Sequence, residues 1–178
     1  MIELILGGAR SGKSRLAEQR ALGSGKSLVY LATAEAHDDE MASRIGLHKQ
    51  RRNEQWQLVE EPLALAEALQ RASKKDNCIL VDCLTLWLSN TLHIGDERWQ
   101  AERKALLTVL PDLPGDVMMV SNEVGQGIVP LGELSRNFVD QSGWLHQDLA
   151  QLCDSVIFVV AGLPQFLKQA KRCQSAKD

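Results

Sequence analysis

The stretch that decides the fold is residues 7–14, which read Gly7-Gly8-Ala9-Arg10-Ser11-Gly12-Lys13-Ser14. Its spacing is G-x-x-x-x-G-K-[ST], the pattern of a phosphate-binding P-loop. The apolar run 1–6 before it predicts a buried strand, and residues 15–22 after it predict a helix. The motif requires a strand, a glycine-rich turn and a helix in that order. These flanks therefore favour a P-loop over the alternative, a glycine-rich turn with an incidental lysine.

The residue types in this turn suit the phosphates of a nucleotide. Glycines allow backbone N–H groups to point at an anion, and the following helix adds the positive end of its dipole. Lys13 is expected to neutralise the β- and γ-phosphates, and the Ser14 hydroxyl is expected to bind Mg²⁺. The sequence therefore predicts nucleotide binding by Gly8, Ala9, Arg10, Ser11, Gly12, Lys13 and Ser14.

Composition limits the class of protein. A chain of 178 residues with 44% hydrophobic content has the size of one domain with a full core. Its net charge of -3 provides no overall attraction to nucleic acid or anionic lipid. No apolar stretch approaches the roughly 20 residues of a spanning helix, and the chain opens directly on the strand before the P-loop, without a signal peptide. We therefore expect a cytoplasmic protein that neither binds nucleic acid nor inserts into membranes.

The four cysteines contain no C-x-x-C pair, so we expect reduced core thiols rather than a zinc site or disulfides.

Apolar and amphipathic segments alternate along the chain. Further strands are predicted at 27–32, 57–60, 78–81, 116–121 and 155–160. Further helices are predicted at 38–55, 62–72, 84–92, 98–110 and 132–153, the last interrupted near Gly143. This order predicts a single-domain α/β P-loop (RecA-like) fold over residues 1–168, with a mostly parallel sheet, helices on both faces, and a polar tail at 169–178.

Polar residues follow three of these strands. Thr33, Ala34 and Glu35 follow the second strand, Asp82 ends the strand that begins at Cys78, and Asn122 opens a loop after the strand 116–121. Carboxyl ends of parallel strands meet at one edge, where open α/β folds bind ligands. Asp82 is expected to be a second Mg²⁺ anchor, although an acid can simply end a strand. The loop 122–130 suits a site loop and a plain structural loop equally.

The predicted helix 38–55 carries His48 close to several arginines, among them Arg44 and Arg52. A lone helical histidine is more often a surface or satisfied core residue. A neutral imidazole can also attack a phosphate and form a covalent phosphoramidate, with arginines neutralising the phosphate charge. Residue patterns alone leave both readings open.

Several segments together give the chain a family resemblance. It closely resembles the bifunctional adenosylcobinamide kinase / adenosylcobinamide-phosphate guanylyltransferases of cobalamin biosynthesis. The segments that carry the resemblance are GGARSGKS (7–14), YLATAEAHDDEMASRIGLHKQRR (30–52), VDCLTLWLSN (81–90), SNEVGQGIVP (121–130) and VVAGLP (159–164).

The resemblance implies two reactions. ATP or GTP phosphorylates adenosylcobinamide, and His48 then takes GMP from GTP as a covalent intermediate and passes it to the phosphorylated product, giving adenosylcobinamide-GDP. It also implies Mg²⁺ bound by Ser14 and Asp82, and a homo-oligomer, expected to be a trimer. Further nucleotide-binding residues implied are Thr33, Ala34, Glu35, Arg44, Arg52, Glu61 and Asp82. The roles of Trp144 and His146 stay open.

Three alternatives remain at this stage. The first is a simple P-loop small-molecule kinase in which His48 is structural, without covalent guanylylation. The second is a nucleotide-dependent switch or binding module that has no small-molecule acceptor. The third is a RecA-like DNA motor, which the acidic balance and the lack of aromatic-basic clusters disfavour.

Overall fold

The computed structural model describes residues 1–34 and 55–169. Its strands are β1 (Ile2–Gly7), β2 (Ser27–Ala32), β3 (Trp56–Glu60), β4 (Asn77–Asp82), β5 (Asp116–Asn122), β6 (Ser155–Val160) and β7 (Leu163–Lys168). Its described helices are α1 (Lys13–Leu22), α2 (Leu65–Ala72), α3 (Leu84–Ile94), α4 (Asp96–Val109) and α5 (Glu133–Leu152), with one 3-10 turn at Leu110–Asp112. Almost all of the predicted helix 38–55 lies outside these residues. Most of the predicted tail 169–178 also lies outside them.

The seven strands form one sheet in the order β3-β2-β4-β5-β1-β6-β7. All neighbouring pairs are parallel except β6 and β7. This confirms the α/β fold with a mostly parallel sheet. The P-loop strand β1 is central, and β5 separates it from β4, which ends in Asp82.

Alternating side chains along the strands form two hydrophobic clusters, one on each face of the sheet. One cluster joins α1, through Ala17 and Ala21, to residues such as Ile5 and Leu80. The other joins α2, α3, α4 and α5 to the opposite face and includes the edge-to-face pair Trp87 and Trp99. Because the central strands are covered on both sides, they read as continuous apolar runs. This covering confirms the prediction of helices on both faces.

The strand β7 was not predicted from the sequence. It returns antiparallel to β6 through the two-residue turn Ala161-Gly162, whose φ angles are 52° and 80°. Two successive positive φ angles suit a tight hairpin, and glycine adopts the second at no steric cost. Pro164 lies within β7, which is an edge strand where a missing backbone N–H is tolerated. The feature of the sequence that could have indicated this hairpin is the Ala-Gly pair between two apolar runs.

Helix boundaries also differ from the prediction. The helix α5 runs unbroken through Gly143, because packing of buried residues such as Leu145 and Leu149 outweighs the roughly 1 kcal/mol propensity cost of one glycine. The helix α1 begins at Lys13, two residues earlier than predicted, and α2 begins at Leu65, after Pro62. The gap between the predicted helices 84–92 and 98–110 shrinks to Gly95, whose φ is 145°.

The described helices include none that combines the length and the apolar character needed to cross a bilayer. Cys78, Cys83 and Cys153 are buried free thiols, as predicted for the part of the chain that the structure describes. Burial raises the pKa of Cys78 to about 11, which leaves its thiol protonated at neutral pH.

A charged pair is buried between β1 and α1. Glu3 is fully buried, and both of its carboxylate oxygens accept hydrogen bonds from Arg20: Nε at 2.5 Å and Nη2 at 2.7 Å. This two-point geometry matches the flat guanidinium to the carboxylate. The pair ties the first helix to the central strand below the P-loop.

A histidine is buried on the opposite face. His146 of α5 is 7% exposed, and its Nε2 lies 2.7 Å from the Ser121 hydroxyl of β5. Burial lowers the pKa of His146, while the nearby charge of Glu123 acts in the opposite direction. The imidazole is therefore neutral at physiological pH.

We expect Arg20→Met to lower the free energy of unfolding by about 2–3 kcal/mol, because it leaves a buried carboxylate without its partner. The expected loss of stability is smaller than for a fully buried pair, because the Arg20 side chain is 33% exposed. Urea unfolding measures the change. Arg20→Met with Glu3→Met should recover most of the loss, and a double variant as unstable as the single one would contradict the account.

We expect the stability advantage of wild type over His146→Leu to shrink as pH falls from about 7.5 to about 5.5, because the unfolded histidine takes up a proton that the folded one resists. The pKa of His146 is lower in the folded protein than in the unfolded one. The contribution of His146 to the free energy of unfolding is therefore complete above the unfolded pKa and is lost as the pH falls through the folded pKa. The slope is at most about 1.4 kcal/mol per pH unit. Urea unfolding across this pH range, with the exposed His93→Gln as control, tests it; parallel wild-type and His146→Leu curves would refute it.

Candidate nucleotide site

The P-loop connects β1 directly to α1. Arg10 and Gly12 have φ angles of 56° and 97°, which turn the backbone around the start of the helix. A side chain at Gly12 would be strained by this φ and would place its Cβ 3.2 Å from the Gly162 backbone. Successive N–H groups in such turns, together with a helix N-terminus, form an anion-binding concavity. The local structure therefore fits the phosphate site predicted for residues 8–14.

Lys13 is largely buried beside this loop. Its Nζ donates a hydrogen bond to the Gly8 carbonyl at 3.1 Å. Burial lowers the pKa of Lys13, and the charge of nearby Asp82 partly opposes this. The lysine of the loop and the acid at the tip of β4 are therefore close enough to interact electrostatically. A P-loop lysine and an acid at one strand edge are what a Mg²⁺-nucleotide site requires.

The Ser11 hydroxyl is a second polar group in the loop. Within the described ranges, Ser11 Oγ is buried and has no hydrogen-bond partner. A buried hydroxyl in that state costs about 1–3 kcal/mol, which an accepting ligand would recover. A phosphate oxygen is such an acceptor.

Asp82 is held by a tyrosine that the sequence analysis did not select. The Tyr30 hydroxyl donates to Asp82 Oδ2 at 2.7 Å. The Tyr30 ring is 3% exposed and packs edge-to-face on Trp56, with ring centroids 5.9 Å apart. Tyr30 is one strand away and two residues out of register from Asp82, so both side chains lie on the α1 face. Only strand pairing reveals this neighbour, which is why the sequence did not.

The ends of β2 and β4 are joined by side chains. Thr33 Oγ1 donates to the Cys83 carbonyl at 2.7 Å and accepts the Cys83 N–H at 2.9 Å. Asn90 of α3 donates to the Thr33 carbonyl at 2.9 Å. The peptide bond between Asp82 and Cys83 is cis. Thr33 therefore fixes the backbone that presents Asp82, and Ala34 follows it at the same edge.

The end of β5 reaches the same edge. Asn122 pairs with Gly7 in the sheet, and its Nδ2 donates to Thr85 Oγ1 at 3.0 Å. The N–H of Glu123 donates to the Gly7 carbonyl at 3.0 Å. The structure thus brings Thr33, Asp82 and Asn122 to the strand edge that carries the P-loop.

Glu61, another predicted site residue, directly follows β3, and its N–H donates to the Ala32 carbonyl at the end of β2 at 3.0 Å. Glu61 accepts the backbone N–H groups of Leu63 and Ala64 at 3.1 and 2.9 Å, which engages its carboxylate in the turn before α2. Four predicted site residues lie outside the described residues: Glu35, Arg44, His48 and Arg52.

The donor chemistry at the edge fits Mg²⁺. The Ser14 hydroxyl and the Asp82 carboxylate offer the hard oxygen atoms that Mg²⁺ prefers. In the described ranges, no cluster of three or more His, Cys, Asp or Glu side chains could hold a metal by itself.

Two surface depressions lie at the other end of the sheet. One has a volume of about 390 Å³ and includes Arg20 and Asp116 in its lining. The other has a volume of about 460 Å³ and is lined around the starts of β2, β3 and β4. In the first depression, Arg20 and Asp116 are engaged in ion pairs. We assign the nucleotide site to the P-loop edge instead, because the residues there have the chemistry to bind phosphate.

The fold is similar to solved structures of low sequence identity. The RadB recombinase gives a TM-score of 0.50 at 18% identity, over 88% of this chain and 73% of that one. The Pyrococcus horikoshii OT3 protein PH0250 gives 0.56 at 10% identity, over 96% and 87%. These likenesses support the fold alone.

Sequence relatives are much closer. The model of the family "Cobinamide kinase / cobinamide phosphate guanyltransferase" matches residues 3–167. The bifunctional adenosylcobalamin biosynthesis protein CobP of Pseudomonas aeruginosa is 57% identical, over 94% of this chain and 98% of that protein. The bifunctional adenosylcobalamin biosynthesis protein CobU of Escherichia coli K12 is 38% identical, over 92% of this chain and 97% of that protein. The chain belongs to the cobinamide kinase / cobinamide phosphate guanyltransferase family.

Proposed function

We propose that the protein phosphorylates adenosylcobinamide with ATP or GTP and then transfers GMP from GTP to the product, giving adenosylcobinamide-GDP. The observation that carries this proposal is the P-loop, which shares one strand edge with Asp82, in a chain that matches the family over residues 3–167. The P-loop and Asp82 also suit the alternative, a simple small-molecule kinase.

In the kinase step, backbone N–H groups of residues 8–13 bind the nucleotide phosphates, and Lys13 neutralises their charge. Ser14 and Asp82 would hold Mg²⁺, which would neutralise further negative charge on the nucleotide phosphates. The acceptor hydroxyl oxygen forms a bond to the γ-phosphorus, the bond to the bridging oxygen breaks, and a nucleoside diphosphate leaves. The protein contributes chiefly position and electrostatic stabilisation.

In the second step, His48 is the proposed nucleophile. An imidazole nitrogen bonds to the α-phosphorus of GTP, and pyrophosphate leaves. A phosphate oxygen of the phosphorylated cobinamide then displaces the imidazole and takes the GMP. Arg44 and Arg52 would neutralise charge on the phosphates. These three roles rest on the family resemblance and on the chemistry of the residue types.

Assembly and location stay predictions. We expect a homo-oligomer, namely a trimer, and a cytoplasmic location. Neither follows from family membership alone.

We expect wild type incubated with GTP and Mg²⁺ to gain the mass of one GMP in intact-protein mass spectrometry. The adduct should be acid-labile, because phosphoramidates are, and absent from His48→Ala. His93→Ala is the matched control, since His93 is an exposed histidine on α3. Folded wild type that binds GTP without forming an adduct would support the simple kinase instead.

We expect Tyr30→Phe to weaken Mg²⁺ affinity in the nucleotide complex about 10-fold, because it removes the hydrogen bond that orients Asp82. Titrating Mg²⁺ against a fluorescent GTP analogue gives the midpoint without relying on turnover. Nucleotide binding in EDTA should match wild type, and thermal melting verifies the fold. An unchanged Mg²⁺ midpoint would show that Tyr30 does not position Asp82 for the metal.

A further inference from the structure

A chain of polar side chains runs from Ser121 through His146 to Glu123, and the mechanism above uses none of them. Ser121 Oγ lies 2.7 Å from His146 Nε2, and His146 Nδ1 lies 3.8 Å from Glu123 Oε2. Ser121 and His146 are 1% and 7% exposed. Burying Ser121 and His146 together is costly unless their polar atoms find partners.

These three polar side chains have a defined order of donors and acceptors. The buried His146 is neutral, so one ring nitrogen carries the proton. A proton on Nδ1, facing the Glu123 carboxylate, is favourable. Nε2 then accepts a hydrogen bond from the Ser121 hydroxyl. The other tautomer would point a lone pair at the carboxylate. The Glu123 carboxylate, 3.8 Å from Nδ1, favours the tautomer that carries its proton on Nδ1.

Glu123 stands at the strand edge of the nucleotide site. It directly follows β5, which lies between the P-loop strand β1 and the Asp82 strand β4. Its N–H donates to the carbonyl of Gly7, and its Oε1 accepts the Gly125 N–H at 2.6 Å. Its side chain is 20% exposed. The carboxylate is therefore held by the Gly125 N–H, lies near His146 and is still reachable from solvent.

The two faces of the sheet bring different charges to this edge. Tyr30 and Asp82 lie on the face of α1, whose first residue is Lys13. Ser121 and His146 lie on the face of α5, and Glu123 continues the alternation of β5 from Ser121. At this edge the P-loop lysine thus belongs to the α1 side of the sheet and the Glu123 carboxylate to the α5 side.

We propose that Glu123 accepts the proton of the acceptor hydroxyl in the kinase step, and that His146, fixed by Ser121, positions its carboxylate. This inference rests on the proposed kinase function. As the acceptor oxygen bonds to the γ-phosphorus, its proton moves to a Glu123 oxygen and the nucleoside diphosphate leaves with the electrons of the broken P–O bond. The proton then passes to solvent, which restores the carboxylate.

A positioned general base of this kind contributes about 10²- to 10⁴-fold to a rate. Glu123→Gln keeps the shape and the Gly125 contact but removes the proton acceptor. We expect it to lower the kinase kcat at least about 100-fold at saturating substrates, with the Kd of a fluorescent GTP analogue within about 3-fold of wild type. Glu133→Gln is the matched control, since Glu133 is exposed at the start of α5.

A second readout separates this inference from the proposed function. Guanylyl transfer to cobinamide phosphate supplied directly bypasses the kinase step, so Glu123→Gln should retain it. A kinase kcat within about 3-fold of wild type would overturn the role of Glu123. Equal losses of kinase, transfer and nucleotide binding would also overturn it, since they would indicate a general binding residue. A wild type without kinase activity would instead refute the proposed function itself.

The positioning role of His146 is tested by a pair of variants. The Asn side-chain N–H₂ can take the place of Nδ1–H, whereas Leu fills similar volume without a donor. We expect His146→Leu to lower the kinase kcat about 10-fold with unchanged KM for the nucleotide, and His146→Asn to restore most of it. Thermal melting of both variants separates this pattern from unfolding. Equal kinase activity of the two variants would overturn the positioning role.

Discussion

The structure depends on the parallel pairing of β1 with β5 and β6 at the centre of the sheet. This pairing places the end of β1 beside the ends of its neighbours, so that the P-loop, Asp82 and Glu123 share one edge. A parallel sheet requires helical crossovers on its faces, which is why central strands are apolar on both sides. The site is assembled where that apolar packing ends.

Polar groups buried near the sheet ends specify the geometry of this core. The Glu3 and Arg20 pair ties α1 to β1 below the loop, and the Thr33 hydroxyl joins the ends of β2 and β4. Tyr30 holds Asp82 on the α1 face, while Ser121 and His146 stand beneath Glu123 on the other. Each group is held by a partner distant in sequence. Such contacts fix orientation more than they add stability, because desolvation offsets much of their energy.

Sequence patterns identified most of the fold because they follow local physics. Continuous apolar runs predicted the central strands, and the glycine-rich turn predicted the P-loop between β1 and α1. The patterns failed where tertiary contacts outweigh local preference. Gly143 suggested a break that the packing of α5 overrides, and the proline-containing edge strand β7 lacks a strong strand signal.

The sequence by itself determined the phosphate-binding loop, the alternating α/β order and the family, because these are properties of contiguous residues and their spacing. It also selected Lys13, Ser14 and Asp82 by chemistry alone. Only the tertiary structure decided which side chains meet these residues. Tyr30 reaches Asp82 from 52 positions away, and His146 reaches Ser121 from 25. Strand register and helix packing set those distances, and neither is written in a local pattern.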